Sequence, residues 1–282
     1  MNLSNTLYDT LKNKIIQTLA TLKLRSLPTA EEKKHAGRPL ALQIIDILTL
    51  GVFRAEHGIE TKQDLHNLFN PACSYKTLVV NLNRFALTIM ALCIALANEN
   101  RKIAHVVKYT DSTDVPVCLV KNARRHKTMH ELARWGKTRK GWFYGLKWHL
   151  TVDAYLRVLS FTFTPGNRDD RSQFMRLNEL LDGVFVADAG YVSEKLAREF
   201  YREGIRILFA KPLRKMKKLA TKEQNDLYSS RARIETVFRH LKMFEGFVSS
   251  LPRSVDGYLA NYFYALAAFM LNGVERNPRL LH

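Results

Sequence analysis

Two short apolar runs, each ending on an aspartate, constrain this chain more than any other feature. Val184-Phe185-Val186-Ala187 runs straight into Asp188-Ala189-Gly190-Tyr191, and Ile103 to Val107 leads into Tyr109-Thr110-Asp111-Ser112-Thr113. Short apolar runs bounded by turn formers read as buried strands, so each run delivers a carboxylate at a strand's end. A lone aspartate in that place is usually a turn former. The pair acquires a different meaning only if a third acid joins it from elsewhere in the chain.

A candidate lies in Tyr228 to Lys242, YSSRARIETVFRHLK. Ile234, Val237, Phe238 and Leu241 recur at helical steps and form a core-facing stripe roughly 100° wide. Tyr228, Arg231, Glu235 and Lys242 fall on a neighbouring strip roughly 60° wide, so a carboxylate stands among cations beside a buried face. A solvated face, with Glu235 paired to Arg231 and Arg239 for tenths of a kcal/mol, is the plainer account.

Between these markers the chain alternates. Leu146 to Val152 and Val158 to Phe163 read as a hairpin, Ser172 to Leu181 as a helix, and Ser193 to about Glu203 as another. Ile205 to Ala210 is a further buried strand. Residues 101–282 therefore predict an α/β domain on a mixed sheet. Residues 1–100 read as helical instead. Leu7, Leu11, Ile15, Leu19 and Leu22 mark a first amphipathic helix, Ala41 to Ala55 a buried second, and Thr61 caps a short third. Ser74 caps a long helix reaching about Asn98. Helix, turn, helix with Tyr75 and Lys76 in the second helix's first turn resembles a DNA-reading helix-turn-helix, although plain helical packing explains the pattern nearly as well.

Charge names the partner. The 44 Lys and Arg against 26 Asp and Glu leave a net +18, which points to a polyanion, and nucleic acid is the default reading. The longest charge-free apolar runs, Phe85 to Ala97 and Leu259 to Leu271, are too short to span a bilayer, so no membrane partner is expected. Cys73, Cys93 and Cys118 are odd in number and far apart, arguing for reduced thiols in the cytosol. Lys121 to Lys147 carries nine cations against the single acid Glu131, interleaved with Trp135, Trp142, Phe143 and Tyr144. Lys137, Arg139 and Lys140 there, and Arg214, Lys215, Lys217 and Lys218 in a second basic loop, are candidate phosphate contacts.

The spacing Tyr228-x-x-Arg231-x-x-x-Glu235-x6-Lys242 resembles the Tyr-Arg-Glu-Lys signature of DDE transposases encoded by bacterial insertion sequences. Thr110-Asp111-Ser112, Gly145-Leu146-Lys147, Thr164-Pro165-Gly166-Asn167 and Ala187-Asp188-Ala189-Gly190-Tyr191 extend the resemblance over about Val106 to Phe247. It implies a ribonuclease H-like mixed sheet flanked by helices and preceded by an all-helical, DNA-binding domain. It further implies that Asp111, Asp188 and Glu235 hold two Mg²⁺ ions, with Mn²⁺ able to substitute. Such a site cuts transposon ends and joins the freed 3′-hydroxyl to target DNA, with Arg231 and Lys242 on phosphates and Tyr228 positioning backbone or base. A homodimer on paired ends, acting on the bacterial nucleoid in the cytoplasm, completes the implied picture. The short interval from Asp188 to Glu235 leaves no room for the large insertion domain of some relatives.

Competing acids stay open on sequence alone. Asp114 could replace Asp111 if the strand register shifts, Asp169 and Asp170 follow a turn, and Glu245 projects with the apolar face. A ribonuclease H-like nuclease without strand transfer, or an inert DNA-binding relic, are the alternative functions.

Overall fold

A computed structural model of the chain describes residues 3–22, 41–191, 193–202, 204–210, 221–243, 247 and 252–272. The chain divides into two compact units, residues 1–96 with 240–273, and residues 97–239 with 274–282.

The first unit is helical. Its elements are α1 (Leu3–Thr21), α2 (Ile44–Glu56), α3 (Lys62–Phe69), α4 (Tyr75–Arg84), the first part of α5 (Ala86–Lys102) and α10 (Val255–Asn272). Ile47, Leu48, Leu50, Val52 and Phe53 make α2 buried on most sides, as its unbroken apolar sequence requires. Packing of α10 on α2 depends on Gly51, where a β-carbon would meet the Tyr264 ring at 2.2 Å. The two terminal nitrogens of the buried Arg54 guanidinium donate to Asn261 Oδ1 at 3.2 Å and the Glu60 carbonyl at 2.8 Å. Both predicted caps form: Thr61 accepts from the Asp64 amide and Ser74 from the Thr77 amide. Asn70, left-handed at φ 40°, closes α3 and turns the chain toward α4. The long helix expected from Ser74 to Asn98 is two helices, α4 and α5, bent by 45°. Among the described residues no single helix is long and apolar enough to cross a membrane.

The second unit is a six-stranded sheet of β1 (Val107–Pro116), β2 (Arg134–Thr138), β3 (Gly141–Asp153), β4 (Val158–Pro165), β5 (Gly183–Ala187) and β6 (Arg206–Ala210). β1 lies between β3, antiparallel, and β5, parallel, with β6 parallel to β5 and both β4 and β2 antiparallel to β3. Helices α6 (Asp170–Leu177) and α7 (Glu194–Phe200) connect the later strands, and α8 (Lys222–Ser229) and α9 (Ala232–Met243) follow the sheet. The expected fold class, a mixed sheet flanked by helices after a helical N-terminal region, is present. Phe174 of α6, Phe200 of α7 and Phe185 of β5 meet edge to face at 4.8–6.1 Å and fill the core on one side.

Three local expectations change. The stretch from Lys121 to Lys147, read as a cationic surface with no strand assigned before Leu146, contains β2 and the start of β3: Trp135 and Lys137 alternate about Gly136, a period too short to stand out among so many cations. β1 does not end at Asp111, because β3 continues to pair with it as far as Pro116. The single helix expected over Tyr228 to Lys242 is broken between α8 and α9. Ser229 and Ser230 turn their hydroxyls back onto the Asn225 and Leu227 carbonyls, and Arg231 and Arg233 amides bond three residues back instead of four.

Candidate active site

Strand register sets the two aspartates at one level. Tyr109 stands opposite Val186 in the parallel pair β1–β5, and Asp111 and Asp188 each follow two residues further along neighbouring chain segments. The parallel pairing stops before them, while β3 still supports Asp111 through its partner Leu150. Thr110 and Thr151 bond across β1 and β3 at 2.9 Å, and Thr151 donates to Asn178 Oδ1 at 2.7 Å, all three buried. That pinned triangle fixes the register from which Asp111 projects.

The break before α9 places the third acid. Tyr109 donates its hydroxyl to Ser230 Oγ at 2.9 Å, tying the break to β1. Ile234, Val237 and Phe238 are buried as their spacing predicted, and the Phe238 ring meets Trp148 at 5.9 Å. With that face inward, Arg231 reaches Asp111 on the sheet and Glu235 one turn on, in α9. One nitrogen of the Arg231 guanidinium donates to Asp111 Oδ2 at 2.8 Å and another to Glu235 Oε1 at 2.5 Å. Asp111 Oδ1 accepts from the Ser112 amide at 2.8 Å. The Asp111 and Arg231 side chains are 18 and 12% exposed, whereas Glu235 is 57% exposed.

Burial pushes the Asp111 carboxyl up to about 7, against the lowering by Arg231 and by the Ser112 amide; Asp188 and Asp170 push it the same way as burial. Arg231 is partly desolvated, yet Asp111, Asp188 and Glu235 together hold its pKa above the ordinary arginine value. One cation thus feels all three acids. The buried Tyr191 hydroxyl is raised well above the usual phenol by burial, then by Asp111, Asp170, Asp169 and Asp188. Among the described residues no three acids stand close enough to hold a metal ion, and Arg231 takes oxygens from two of the three candidates.

The rival acids have other partners. Asp169 caps α6 and pairs with Arg171, and Asp170 accepts from Lys147 at 3.0 Å. Asp114 is opposite Lys147 on the register, on the sheet face away from Asp111. Glu245 lies outside the described residues, as do Arg214, Lys215, Lys217 and Lys218. Tyr228 stays in α8, half-buried, its ring 6.4 Å from Phe209. Lys242 is in the last turn of α9 and falls in the helical unit. Lys137, Arg139 and Lys140 are exposed on β2 and its turn, and Tyr75 and Lys76 are exposed at the start of α4. Sequence reasoning missed the Lys147–Asp170 pair and the buried His149, which bonds Thr164 Oγ1 at 2.8 Å. Only the fold brings those residues together, and nothing in their sequence spacing announces it.

Residues 101–253, more than half of the 282-residue chain, match the family described as Transposase DDE domain. No curated protein matches the chain at a significant level. Among solved structures, the piggyBac transposase synaptic complex with hairpin DNA, determined by cryo-electron microscopy, is similar at 8% identity and a TM-score of 0.48. That likeness covers 93% of this chain and 72% of the piggyBac chain. It is too distant to carry any inference about function. The family match spans β1 with Asp111, β5 with the adjoining Asp188, and α9 with Glu235, and by it the chain belongs to the DDE transposases.

Proposed function

We infer that this chain is a DNA transposase that cuts transposon ends and joins the freed 3′-hydroxyl to target DNA, with Asp111, Asp188 and Glu235 as its acids. One observation carries the assignment: Arg231, a single cation, bonds both Asp111 of a strand and Glu235 of a helix far apart in sequence, and Asp188 adds to the negative field that holds it charged. Carboxylates gathered around one cation repel one another, and Arg231 offsets that repulsion.

The donor set suits a hard divalent cation, because all three candidates are carboxylates and Mg²⁺ prefers oxygen ligands. Asp111, Asp188 and Glu235 are the residues that would hold Mg²⁺, two ions in all, with Mn²⁺ able to substitute. When bound, the metal activates the nucleophile and stabilises the leaving oxygen of a phosphodiester. The remaining work belongs to the chain. Arg231 neutralises the acids in the metal-free protein, and its planar fork suits a phosphate equally well once they are otherwise compensated. Lys242 contributes a second phosphate contact and Tyr228 positions the backbone or a base. Lys137, Arg139, Lys140 and the cations Arg214, Lys215, Lys217 and Lys218 supply affinity that is independent of sequence. DNA binding is assigned to residues 1–100, with Tyr75 and Lys76 of α4 toward the groove, and catalysis to residues 101–282, of which 240–273 belong to the helical unit. The protein works as a homodimer on paired ends of a bacterial insertion sequence, on nucleoid DNA.

The test is incubation of the purified chain with a labelled transposon end, a target duplex and Mg²⁺. Both a nicked end bearing a 3′-hydroxyl and a joined product are expected. Cleavage without joining would reduce the protein to a nuclease, and neither product would remove the assignment.

A further inference from the structure

The hairpin of β2 and the start of β3 carries a surface that the three acids do not explain. Trp135 stands opposite Tyr144 and Lys137 opposite Trp142, so these four side chains share one face of the hairpin. The other face is packed: Phe143 is buried against Gly136, where a β-carbon would meet its ring at 2.5 Å. On the open face Trp142 is 60% and Trp135 41% exposed. The Lys137 ammonium lies 5.6 Å from the Trp142 ring centre, and Trp135 lies 5.6 Å from Tyr144. Arg134, Lys137, Arg139 and Lys140 share the hairpin with no acid at all.

Two indole faces kept in water are costly for a folded chain unless something covers them. The occupant is constrained by charge. A hairpin with four cations and no carboxylate repels ordinary basic partners and suits a polyanion, and lysine is depleted in protein–protein contacts. A closed duplex would need only the cations, since its bases are already stacked and its backbone offers no flat apolar surface. Rings alternating with cations fit a strand whose bases are free to stack while its phosphates are neutralised. Position agrees with this. Leu150, opposite Asp111, is separated from Tyr144 and Trp142 by even numbers of residues along β3, so the rings project from the same sheet face as Asp111. Eight residues of strand from Leu150 to Trp142 measure roughly 27 Å, too far for the nucleotide being cut.

We propose that this hairpin face binds unpaired bases of DNA flanking the cleavage point, with Trp142 and Trp135 as stacking platforms and Lys137 on the phosphate between them. The proposal rests on the transposase reading above but does not depend on the acids. It assigns the flanking DNA at the active site an opened rather than a fully paired form.

Equilibrium binding by the full chain in EDTA tests it without any cutting. The probes are a fluorescein-labelled oligothymidylate of about 15 nucleotides and a blunt duplex of the same length. The single strand should bind and quench tryptophan emission. Trp142→Ala and Trp135→Ala should each weaken it about tenfold while changing duplex affinity less than about twofold. Trp142→Phe should retain most single-strand affinity but lose part of the quenching, the remainder coming from Trp135. Unchanged single-strand binding by both alanine variants, or equal losses on both probes, overturns the proposal. Wild-type protein that binds duplex but no single strand overturns it too and leaves the transposase reading intact. Failure to bind either probe would defeat both.

Discussion

Arg231 donates to Asp111 Oδ2 at 2.8 Å across 120 positions of sequence, joining the loop that opens α9 to the middle of β1. The contact sits in the least exposed part of the acid cluster, and the other arm of the same guanidinium reaches Glu235. It is the bond by which a distant helix is keyed to the sheet.

Removing that key should destabilise the metal-free protein. Arg231→Ala leaves Asp111 buried without its largest compensating charge, at a cost of about 1–3 kcal/mol. Thermal melting in EDTA should reveal the loss, and added Mg²⁺ should recover part of it by binding the freed acids. Arg231→Lys retains a charge but not the fork, so it should melt between wild type and alanine and still slow cleavage. Melting of Arg231→Ala at the wild-type temperature would reduce the ion pair to a surface contact.

His149 predicts a pH dependence. Burial lowers its pKa to about 4, opposed by Asp170 and assisted by Lys147. A histidine depressed below its ordinary value contributes stability that is present above about pH 6.5 and is lost as pH falls toward 4, because the unfolded chain takes up the proton first. Asp111, raised in the fold, gives the opposite slope over much of the same range, so the quantity to measure is a difference. His149→Gln keeps a bond to Thr164 and removes the titration. The stability gap between wild type and variant should narrow or reverse by on the order of 2 kcal/mol between pH 6.5 and 4. A parallel pair of melting profiles would show that His149 does not titrate in the fold.

The exposed cations predict a salt effect. Neutralising Lys137, Arg139 and Lys140 together should reduce the slope of log affinity against log salt by about 0.9 for each duplex phosphate that the variant no longer neutralises. An unchanged slope would turn this hairpin edge toward solvent and away from DNA.

Much of the site is legible in the sequence, for identifiable reasons. The apolar run ending at Asp188 announces a strand because parallel-type strands are buried on both faces, and β5 is almost as short as its sequence implies. The run from Ile103, by contrast, lies ahead of β1, which begins at Val107, and leaves Ile103 and Val106 exposed. Ile234, Val237, Phe238 and Leu241 announce the buried face of α9 because a helix repeats every 3.6 residues. Non-local facts are not legible. The continuation of β1 past Asp111 depends on its pairing with β3, and Ser229–Ser230 breaks a helix whose periodicity runs through the break without interruption. The strip from Tyr228 to Lys242 therefore looks continuous in sequence where the fold has two helices. The Arg231–Glu235 pair, by contrast, is the four-residue pair that helix geometry predicts; its extension to Asp111 is what sequence spacing could not give.

The central claim is that Asp111, Asp188 and Glu235 act together in cutting and joining DNA, and amide substitution tests it most directly. Single-turnover reactions on a pre-bound, labelled transposon end would compare wild type with Asp111→Asn, Asp188→Asn and Glu235→Gln in Mg²⁺. Each amide keeps the shape of its acid and loses the charge a metal requires. The account predicts a fall of at least about a thousandfold in cleavage and joining for every variant, or some 4 kcal/mol of barrier, with DNA affinity within a few-fold of wild type. Near-normal turnover by any one of the three variants would contradict it.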